Sequence, residues 1–141
     1  MYKHEILLTR ASLLTAASDG AVPHQQPTNF THAGSWARRA RFTVAVYAVE
    51  GAPTAWSLSA KAQDVIMHDG NLWRYQKRRW FDLPDHDLGT IADEATSLTS
   101  PKIVVHDVEA FGSDVRLNLV PSFTGGTSPG LRVSITRELW S

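Results

Sequence analysis

The sequence predicts an all-β fold: an antiparallel β-sandwich with a jelly-roll or Ig-like layout, about seven to nine strands and an extended N-terminal arm. Two observations lead to this prediction. Two long stretches alternate apolar and polar residues on either side of a turn, and no long helical pattern lies between them. Because a half-apolar sheet is stable only against another layer, the cover must be a second sheet. We expect residues 1–141 to form a single β-sandwich domain.

The stretch from Asp114 to Trp140 shows this pattern most clearly. Its apolar residues recur at every second position on both sides of a turn: Val115, Leu117, Leu119, then Leu131, Val133, Ile135. The segment from Gly125 to Gly130 consists almost entirely of turn-forming residues. The pattern predicts a β-hairpin with one buried face.

A second stretch repeats the pattern earlier in the chain. Apolar residues alternate in both of its halves: Phe42, Val44, Val46, Ala48, then Trp56, Leu58, Ala60, Ala62. Gly51 to Thr54 turns the chain between the halves. This predicts a second hairpin, and the two hairpins together predict two sheets that cover each other.

The composition excludes several classes of protein. With 43% apolar and 20% charged residues, the chain is an ordinary globular sequence, and no apolar run approaches a membrane span, so we expect no membrane partner. There are no cysteines, which excludes disulfides and thiol chemistry. Lys plus Arg and Asp plus Glu both number 14, so no overall field favours nucleic acid. Glu5 and Arg10 interrupt the apolar opening of the chain, so we expect no signal peptide.

The N-terminal part divides into a strand and an arm. Residues 5–16 have an apolar pattern that fits a strand slightly better than a helix, because Thr9 and Ser12 lie within it. Residues 18–35 are polar and contain two prolines, which predicts an extended arm or loop. Since the arm has too few apolar residues to order itself, we expect it to lie along its own sandwich or a neighbouring subunit.

The middle of the chain predicts shorter elements. Asp64 to Met67 continues a strand into a tight turn at 68–71, and 72–75 is expected to return antiparallel. Residues 84–87 form a predicted polar loop, and 93–100 a loop or single helical turn. The β-branched run Ile103-Val104-Val105 predicts an inner strand covered on both sides.

One motif resembles an active site and fails on mechanism. Residues 126–130 match the Gly-x-Ser-x-Gly pattern of a nucleophile elbow. An elbow uses the backbone N–H that follows the serine as an oxyanion donor, but here that residue is Pro129, which has no N–H. A turn is therefore the better interpretation, and we expect no catalytic residues.

The polar segment near Asp82 offers carboxylates and an imidazole at Asp82, Asp85, His86 and Asp87. Their spacing matches neither a calcium loop nor a zinc helix, so a solvated loop is favoured over a metal site. His106-Asp107 is interpreted as an exposed pair at a strand end. We therefore expect no metal and no cofactor.

Two groups of residues are candidates for partner binding. One is the strip from Trp73 to Phe81, which interleaves cations with aromatic rings, and the other is a cationic group at 38–41. Three interpretations of the strip remain open: an ordinary strand pair, a protein interface, or a nucleic-acid or sugar surface. The candidate residues are Phe30, Trp36, Arg38, Arg39, Trp73, Arg74, Tyr75, Lys77, Arg78, Arg79, Trp80.

The order of these features resembles that of small β-sandwich virion proteins of tailed bacteriophages, of the capsid decoration or minor capsid type. The resemblance covers about residues 6–139. The features that carry it are, in chain order, a segment rich in Leu, Thr, Ala and Ser (Leu7 to Ser18), a polar stretch with Thr28-Asn29-Phe30, the strand at 41–46, the turn at 51–54, the element Trp80-Phe81-Asp82-Leu83 and the Gly-Gly-Thr-Ser-Pro turn near the end. It implies a non-enzymatic structural protein that is made in the host cytoplasm and becomes part of the virion. It also implies that the partner is the major capsid protein or another virion protein.

Other functions stay open beside this one. A carbohydrate- or receptor-binding tail module would use exposed rings from among Trp36, Trp56, Trp73, Tyr75, Trp80. A coplanar exposed row of rings would favour glycan binding, whereas buried rings would favour a scaffold. A tail-tube or head–tail connector protein is the nearest alternative within the virion, and a homo-oligomer is compatible with all of these functions.

Overall fold

The predicted fold class is confirmed. A computed structural model describes residues 2–18, 20–22, 37–67, 78–93, 98, 100–109 and 115–141. These residues contain no helix and form eight strands, bounded as follows: β1 (Tyr2–Leu14), β2 (Ala21–Val22), β3 (Arg39–Glu50), β4 (Ala55–Met67), β5 (Arg78–Asp93), β6 (Lys102–Glu109), β7 (Val115–Thr124), β8 (Gly130–Trp140).

The strands form two four-stranded antiparallel sheets. The first sheet has the order β1-β8-β3-β6 and the second has the order β2-β7-β4-β5. Strand β1 pairs with β8, β2 with β7, β3 with β6 and β4 with β5, as if one long hairpin had been folded over itself. Of the two predicted layouts, this order is that of a jelly roll.

The two predicted hairpins are not hairpins. Strands β3 and β7 are each followed by a strand of the opposite sheet, so the turns at 51–54 and 125–129 cross from one layer to the other. Alternation shows only that one face of a strand is buried, and this holds whether the next strand lies beside it or across the core. Each of the two stretches therefore contributes one strand to each sheet, and the apolar residues of both strands face the core between the sheets.

The two crossing turns interlock at one end of the sandwich. The Thr127 backbone N–H donates to the Gly51 carbonyl at 2.8 Å, and the Thr54 N–H donates to the Thr124 carbonyl at 2.8 Å. Gly51 and Gly126 both have positive φ angles, of 81° and 82°. A Cβ atom on Gly126 would lie 2.6 Å from the Gly51 carbonyl oxygen, so the contact requires glycine.

The core lies between the sheets, and the predicted alternating residues make up most of it. Its largest fully buried apolar side chains include Phe42, Leu58, Leu117, Leu131 and Ile135. They come from four strands in both sheets, β3 and β8 on one side and β4 and β7 on the other. Burying side chains of this size contributes about 1.5–3 kcal/mol each.

Strand β6 is not the inner strand that the sequence predicted. It lies at an edge of the first sheet and pairs with β3 alone among the described strands. Ile103 and Val105 are 61% and 55% exposed. β-branched residues favour extended backbone on a solvent-facing strand as well as in a core, so the run Ile103-Val104-Val105 indicated a strand but not its position.

The polar segment 84–87 lies within β5 instead of forming a loop. The ladder to β4 accommodates it as an irregularity, because Gln63 lies opposite Asp82 while Lys61 lies opposite Asp87. The polarity of residues 84–87 predicted a loop, and this prediction was wrong because a β-bulge can accommodate extra polar residues within a strand.

The predicted arm is partly incorporated into the sandwich. Ala21 and Val22 form β2 and pair with β7, and both are buried. Residues 23–35 of the arm lie outside the described residues, as do the turn at 68–71, the returning strand at 72–75 and most of the loop predicted at 93–100.

Candidate functional site

The outward side of the first sheet carries the most distinctive exposed surface in the described part of the chain. We call it the first-sheet face. It has an apolar half and a charged half. Each half consists of two rows, and a row is a set of outward residues that lie opposite one another on neighbouring strands. The apolar rows are Ile6–Thr136–Thr43–Val105 and Ser134–Ala45–Ile103, of which Ala45 is itself buried. The charged rows are His4–Glu138–Arg41–Asp107 and Tyr2–Trp140–Arg39–Glu109.

The alternation of the strands places these residues outward. In β3, Phe42 and Val44 are fully buried, so Arg41 and Thr43 must project to the other side. In β8, Leu139 and Ile135 are buried and place Trp140 and Thr136 outward in the same way. The antiparallel register then aligns these positions across the four strands.

The apolar half exposes large aliphatic side chains on both edges of the sheet. Ile6 on β1 is 65% exposed, and Ile103 and Val105 lie on the opposite edge strand β6. Between them, Thr43 and Thr136 offer a methyl and a hydroxyl group each. Such a surface can bury aliphatic groups of a partner and accept a few hydrogen bonds.

The charged half is internally neutralised by ion pairs centred on Asp107. Arg41 Nε and Nη2 donate to the two Asp107 carboxylate oxygens at 2.7 and 3.1 Å. Arg39 Nη2 also donates to Asp107, at 3.1 Å, and its Nε lies 3.6 Å from Glu109. The hydrogen bond from Arg41 has the largest effect on the pKa of Asp107 and lowers it. Desolvation acts in the opposite direction, but the hydrogen bond from Arg39 adds to the lowering, so that the pKa of Asp107 falls to about 2. Asp107 is therefore ionised at any ordinary pH.

Trp140 forms the centre of an aromatic and cationic stack at the end of this half. The guanidinium carbons of Arg39 and Arg41 lie 5.2 and 5.6 Å from its ring centroid. The Tyr2 ring lies 5.6 Å away at an interplanar angle of 52°. The Tyr2 hydroxyl donates to Glu138 at 3.0 Å, and this hydrogen bond raises the pKa of Tyr2. These contacts fix the ends of β1, β3 and β8 relative to one another.

A buried ion pair supports the first-sheet face from inside. Arg137 is only 1% exposed and projects into the core from β8. Its Nε donates to Glu5 Oε2 at 2.8 Å, and its Nη1 donates to the Val115 carbonyl of the second sheet at 2.6 Å. Desolvation raises the pKa of Glu5, but Lys3 and Arg137 outweigh it, so that the pKa of Glu5 is lowered overall. Through these contacts, Arg137 connects β1 to β8 within the first sheet and connects both strands to β7 of the second sheet.

The outward side of the second sheet is different in chemistry. Its described positions on β4 and β7 are mostly short and polar: Ser57, Ser59, Lys61, Arg116, Asn118, Ser122. Gln63 connects two of the strands, because its amide nitrogen donates to Asp82 at 2.9 Å and its oxygen accepts from Arg116 Nε at 2.8 Å. Val120 is the one large aliphatic exposed among the described positions of β4 and β7.

Two of the candidate residues from the sequence fall on or beside the first-sheet face. Arg39 lies in it, and Arg38 is exposed next to it, with its Nη1 donating to the Ala37 carbonyl at 3.1 Å. The expectation of a local cationic patch was wrong for Arg39 and Arg41, because Asp107 and Glu109 on β6 pair with them.

The other candidates are not brought to this face by the described part of the structure. Arg78, Arg79 and Trp80 begin β5, and their side chains lie outside the described residues. Six others lie outside them altogether: Phe30, Trp36, Trp73, Arg74, Tyr75, Lys77. Trp56, which was considered for a sugar site, is 3% exposed and belongs to the core.

Sequence reasoning missed the strand ends and the apolar half. Tyr2 and Trp140 lie at opposite ends of the chain, and only the pairing of β1 with β8 brings them together. Alternation along β1 could have predicted that Ile6 faces outward, because its neighbours Glu5 and Leu7 face inward. The same alternation, extended by one step beyond Ile135, would have placed Arg137 in the core.

Comparisons with known proteins assign the chain to no family. No family model and no curated protein matches it. Among solved structures, it is similar to the Eiger TNF of S. frugiperda, at 13% identity over 100% of this chain and 92% of that one, with a TM-score of 0.43. It is also similar to the CBM22-1 and GH10 modules of xylanase 10B from Clostridium thermocellum, complexed with xylohexaose. There the identity is 9% over 99% of this chain and 26% of that one, with a TM-score of 0.39. Neither likeness bears on function.

No three His, Asp or Glu side chains in the described ranges are grouped as metal ligands would be. In the same ranges there is no helix long and apolar enough to cross a membrane.

Proposed function

We propose that this protein is a non-enzymatic structural component of a bacteriophage virion, which decorates and stabilises a capsid lattice through protein–protein contacts. The observation that carries the proposal is the apolar half of the first-sheet face. Ile6, Ile103 and Val105 are each more than half exposed and lie on one side of one sheet. Exposed aliphatic residues on one face of a folded domain favour a protein interface.

The charges and apolar groups of the first-sheet face indicate which kind of partner surface would bind to it. The arginines of the charged half are already paired with Asp107 and Glu109, so a charged partner would gain little from them. Aliphatic groups of the partner would pack on Ile6 and Val105, and backbone or hydroxyl groups would meet Thr43 and Thr136. The major capsid protein or another virion protein is the proposed partner, and the virion is the proposed location.

The size of the face favours weak and repeated contacts. With strands about 4.8 Å apart and outward residues about 6.8 Å apart, four strands and four rows cover about 500 Å². A stable isolated complex needs about 800 Å² per partner. On a lattice with many equivalent sites, a smaller contact becomes effective when one particle presents many copies of it.

Aromatic geometry gives no support to glycan binding in the described region. Trp56 is buried, and the Tyr2 and Trp140 rings are tilted by 52° instead of lying in one plane. A sugar-binding row needs exposed rings that lie in a common plane.

Co-sedimentation with purified capsids of the phage that encodes the chain tests this proposal. The wild-type protein should pellet with capsids, whereas Val105→Asp should lose most of its binding because a carboxylate would be desolvated at the contact. Val120→Asp is the matched control: Val120 is 54% exposed on the second sheet, against 55% for Val105, and receives the same substitution.

The control variant should pellet like the wild type. Absence of wild-type binding would overturn the proposed function, and equal loss in both variants would overturn the assignment of the face. Thermal unfolding of both variants shows whether they are folded. If Val105→Asp is not folded, Val105→Lys takes its place with Val120→Lys as its control.

A further inference from the structure

A cavity of about 170 Å³ lies between the two sheets where β1 passes β2. Six apolar side chains line most of it: Leu8, Leu13, Leu14, Val22, Leu119, Val133. Val22 and Leu119 come from the second sheet, and Val133 lies on β8 of the first. An enclosed apolar cavity of roughly 150 Å³ binds benzene, so this cavity, which is partly open and also has Ser12 and Ser18 in its wall, has room for a single six-membered ring.

A bulge in β1 opens the sandwich at this point. Leu8 lies opposite Ile135 and Ser12 opposite Val133, so β1 advances four residues where β8 advances two. The extra residues interrupt the ladder on the same stretch of β1 that lines the cavity. Bulges at sheet edges frequently redirect side chains beside binding sites.

The two hydroxyl groups of the cavity differ in their hydrogen bonds. Ser18 Oγ accepts from the Thr15 backbone N–H at 2.9 Å and lies 3.2 Å from Thr15 Oγ1. The half-buried Ser12 hydroxyl has no hydrogen-bond partner among the described residues. The Ser12 hydroxyl is therefore available to a ligand in the cavity, and one such hydrogen bond adds to the affinity for that ligand.

From this geometry we propose that the cavity binds a small hydroxylated ring, of the size of phenol or cyclohexanol. The ring lies against Leu119 and Val133, and its hydroxyl group hydrogen-bonds to Ser12. This site lies inside the sandwich and away from the first-sheet face, so the inference does not rest on the proposed function. Occupancy stabilises the fold, because the ligand binds only the native state.

Titration with phenol and benzene, followed by NMR of the methyl groups, tests the site. Phenol should bind the wild-type protein saturably and shift the methyl signals of Leu119 and Val133. Ser12→Ala should weaken phenol binding by about five- to tenfold, the equivalent of one hydrogen bond, and leave benzene binding unchanged. Ser134→Ala is the matched control, because Ser134 lies on the outward side of β8, and it should change neither affinity.

A second variant tests the opening of the cavity. Leu13→Trp enlarges an exposed side chain at the cavity wall and should reduce the affinities for phenol and benzene together, with native-like thermal unfolding. The proposal is overturned if phenol does not bind the folded wild-type protein saturably. It is also overturned if the shifted methyl groups lie elsewhere, or if Ser12→Ala weakens both probes equally.

Discussion

The two sheets are alike on their inner sides and differ on their outer sides. Inside, both follow the same alternation and contribute apolar residues to one core, although the first sheet also holds the buried pair of Glu5 and Arg137. Outside, the first sheet presents aliphatic residues and a cluster of ion pairs around Asp107, whereas the described part of the second presents mainly Ser, Asn and Lys side chains. The inner sides need only be apolar, while the outer sides are free to differ, so the functional signal of a sandwich lies in its outward positions.

The two sheets also use arginine differently. Arg137 of the first sheet is buried and connects Glu5 to the Val115 carbonyl across the core. Arg116 of the second sheet is half-buried on the outward side and donates to Gln63. Since the cost of losing a charge partner rises with burial, equal substitutions should have unequal effects.

The largest predicted effect is on Arg137. Arg137→Met should lower the free energy of unfolding by about 3–5 kcal/mol, because Glu5 loses its buried partner and keeps only the half-exposed Lys3. Arg116→Met should cost about 1 kcal/mol, the value for a part-buried hydrogen bond between a cation and a neutral group. Urea unfolding of both variants measures the difference.

Replacing both members of the buried pair sharpens this comparison. Glu5→Leu combined with Arg137→Met should be more stable than Arg137→Met alone, because no buried charge remains and Lys3, which also loses Glu5, is half-exposed. Equal stability of Arg137→Met and Arg116→Met would show that the buried pair contributes no more than the surface contact.

The next largest effect concerns the interlocked turns that join the sheets. Gly126→Ala should cost about 3 kcal/mol, because it combines a positive φ with a Cβ atom 2.6 Å from the Gly51 carbonyl oxygen. Gly125→Ala is the control: its φ of 68° is also positive, but the nearest atom, Thr54 Oγ1, lies 3.5 Å away. It should cost about 1 kcal/mol.

Thermal unfolding of the two alanine variants tests the turn contact. If both variants lose the same stability, the backbone angle alone accounts for the effect, and the contact between the turns contributes nothing.

The smallest effect is the acid sensitivity of the first sheet. The pKa values of Glu5 and Asp107 are both lowered, that of Asp107 to about 2. Groups with lowered pKa values stabilise the fold fully above their unfolded values, near pH 4, and lose this contribution as the pH falls through the folded values. Stability should therefore decline between about pH 5 and pH 2.

Asp107→Asn isolates the exposed part of this effect. Because Asp107 is about one-third exposed, the substitution should cost at most about 1 kcal/mol at pH 7 and make the decline below pH 4 shallower. Urea unfolding at several pH values measures both quantities. An unchanged pH profile would contradict the contribution of Asp107.

Much of the fold follows from alternation alone, and the strand partners do not. The pattern at 42–62 and 115–135 indicated which side of each strand is buried, and the structure has the same side buried. It could not distinguish a hairpin from a crossing between sheets, because both bury the same residues. It also could not locate Ile103 and Val105 at an edge, since that depends on where β6 pairs.

The candidate site was also predictable only in part, because residues close together in the sequence were visible but contacts between paired strands were not. Arg39 and Arg41 were visible as a cationic group, but Asp107 lies 66 residues from Arg41 in the sequence and reaches it only through the pairing of β3 with β6. Tyr2 and Trp140 meet through the pairing of β1 with β8. Contacts set by strand order have no local signal in one sequence.

A cryo-EM map of the assembled particle tests most directly whether the first-sheet face binds a partner. We expect a neighbouring virion protein to cover this face and bury Ile6, Ile103 and Val105, while the outward side of the second sheet around Val120 stays open to solvent. The opposite arrangement, with Val120 covered and Ile103 and Val105 exposed, would contradict it.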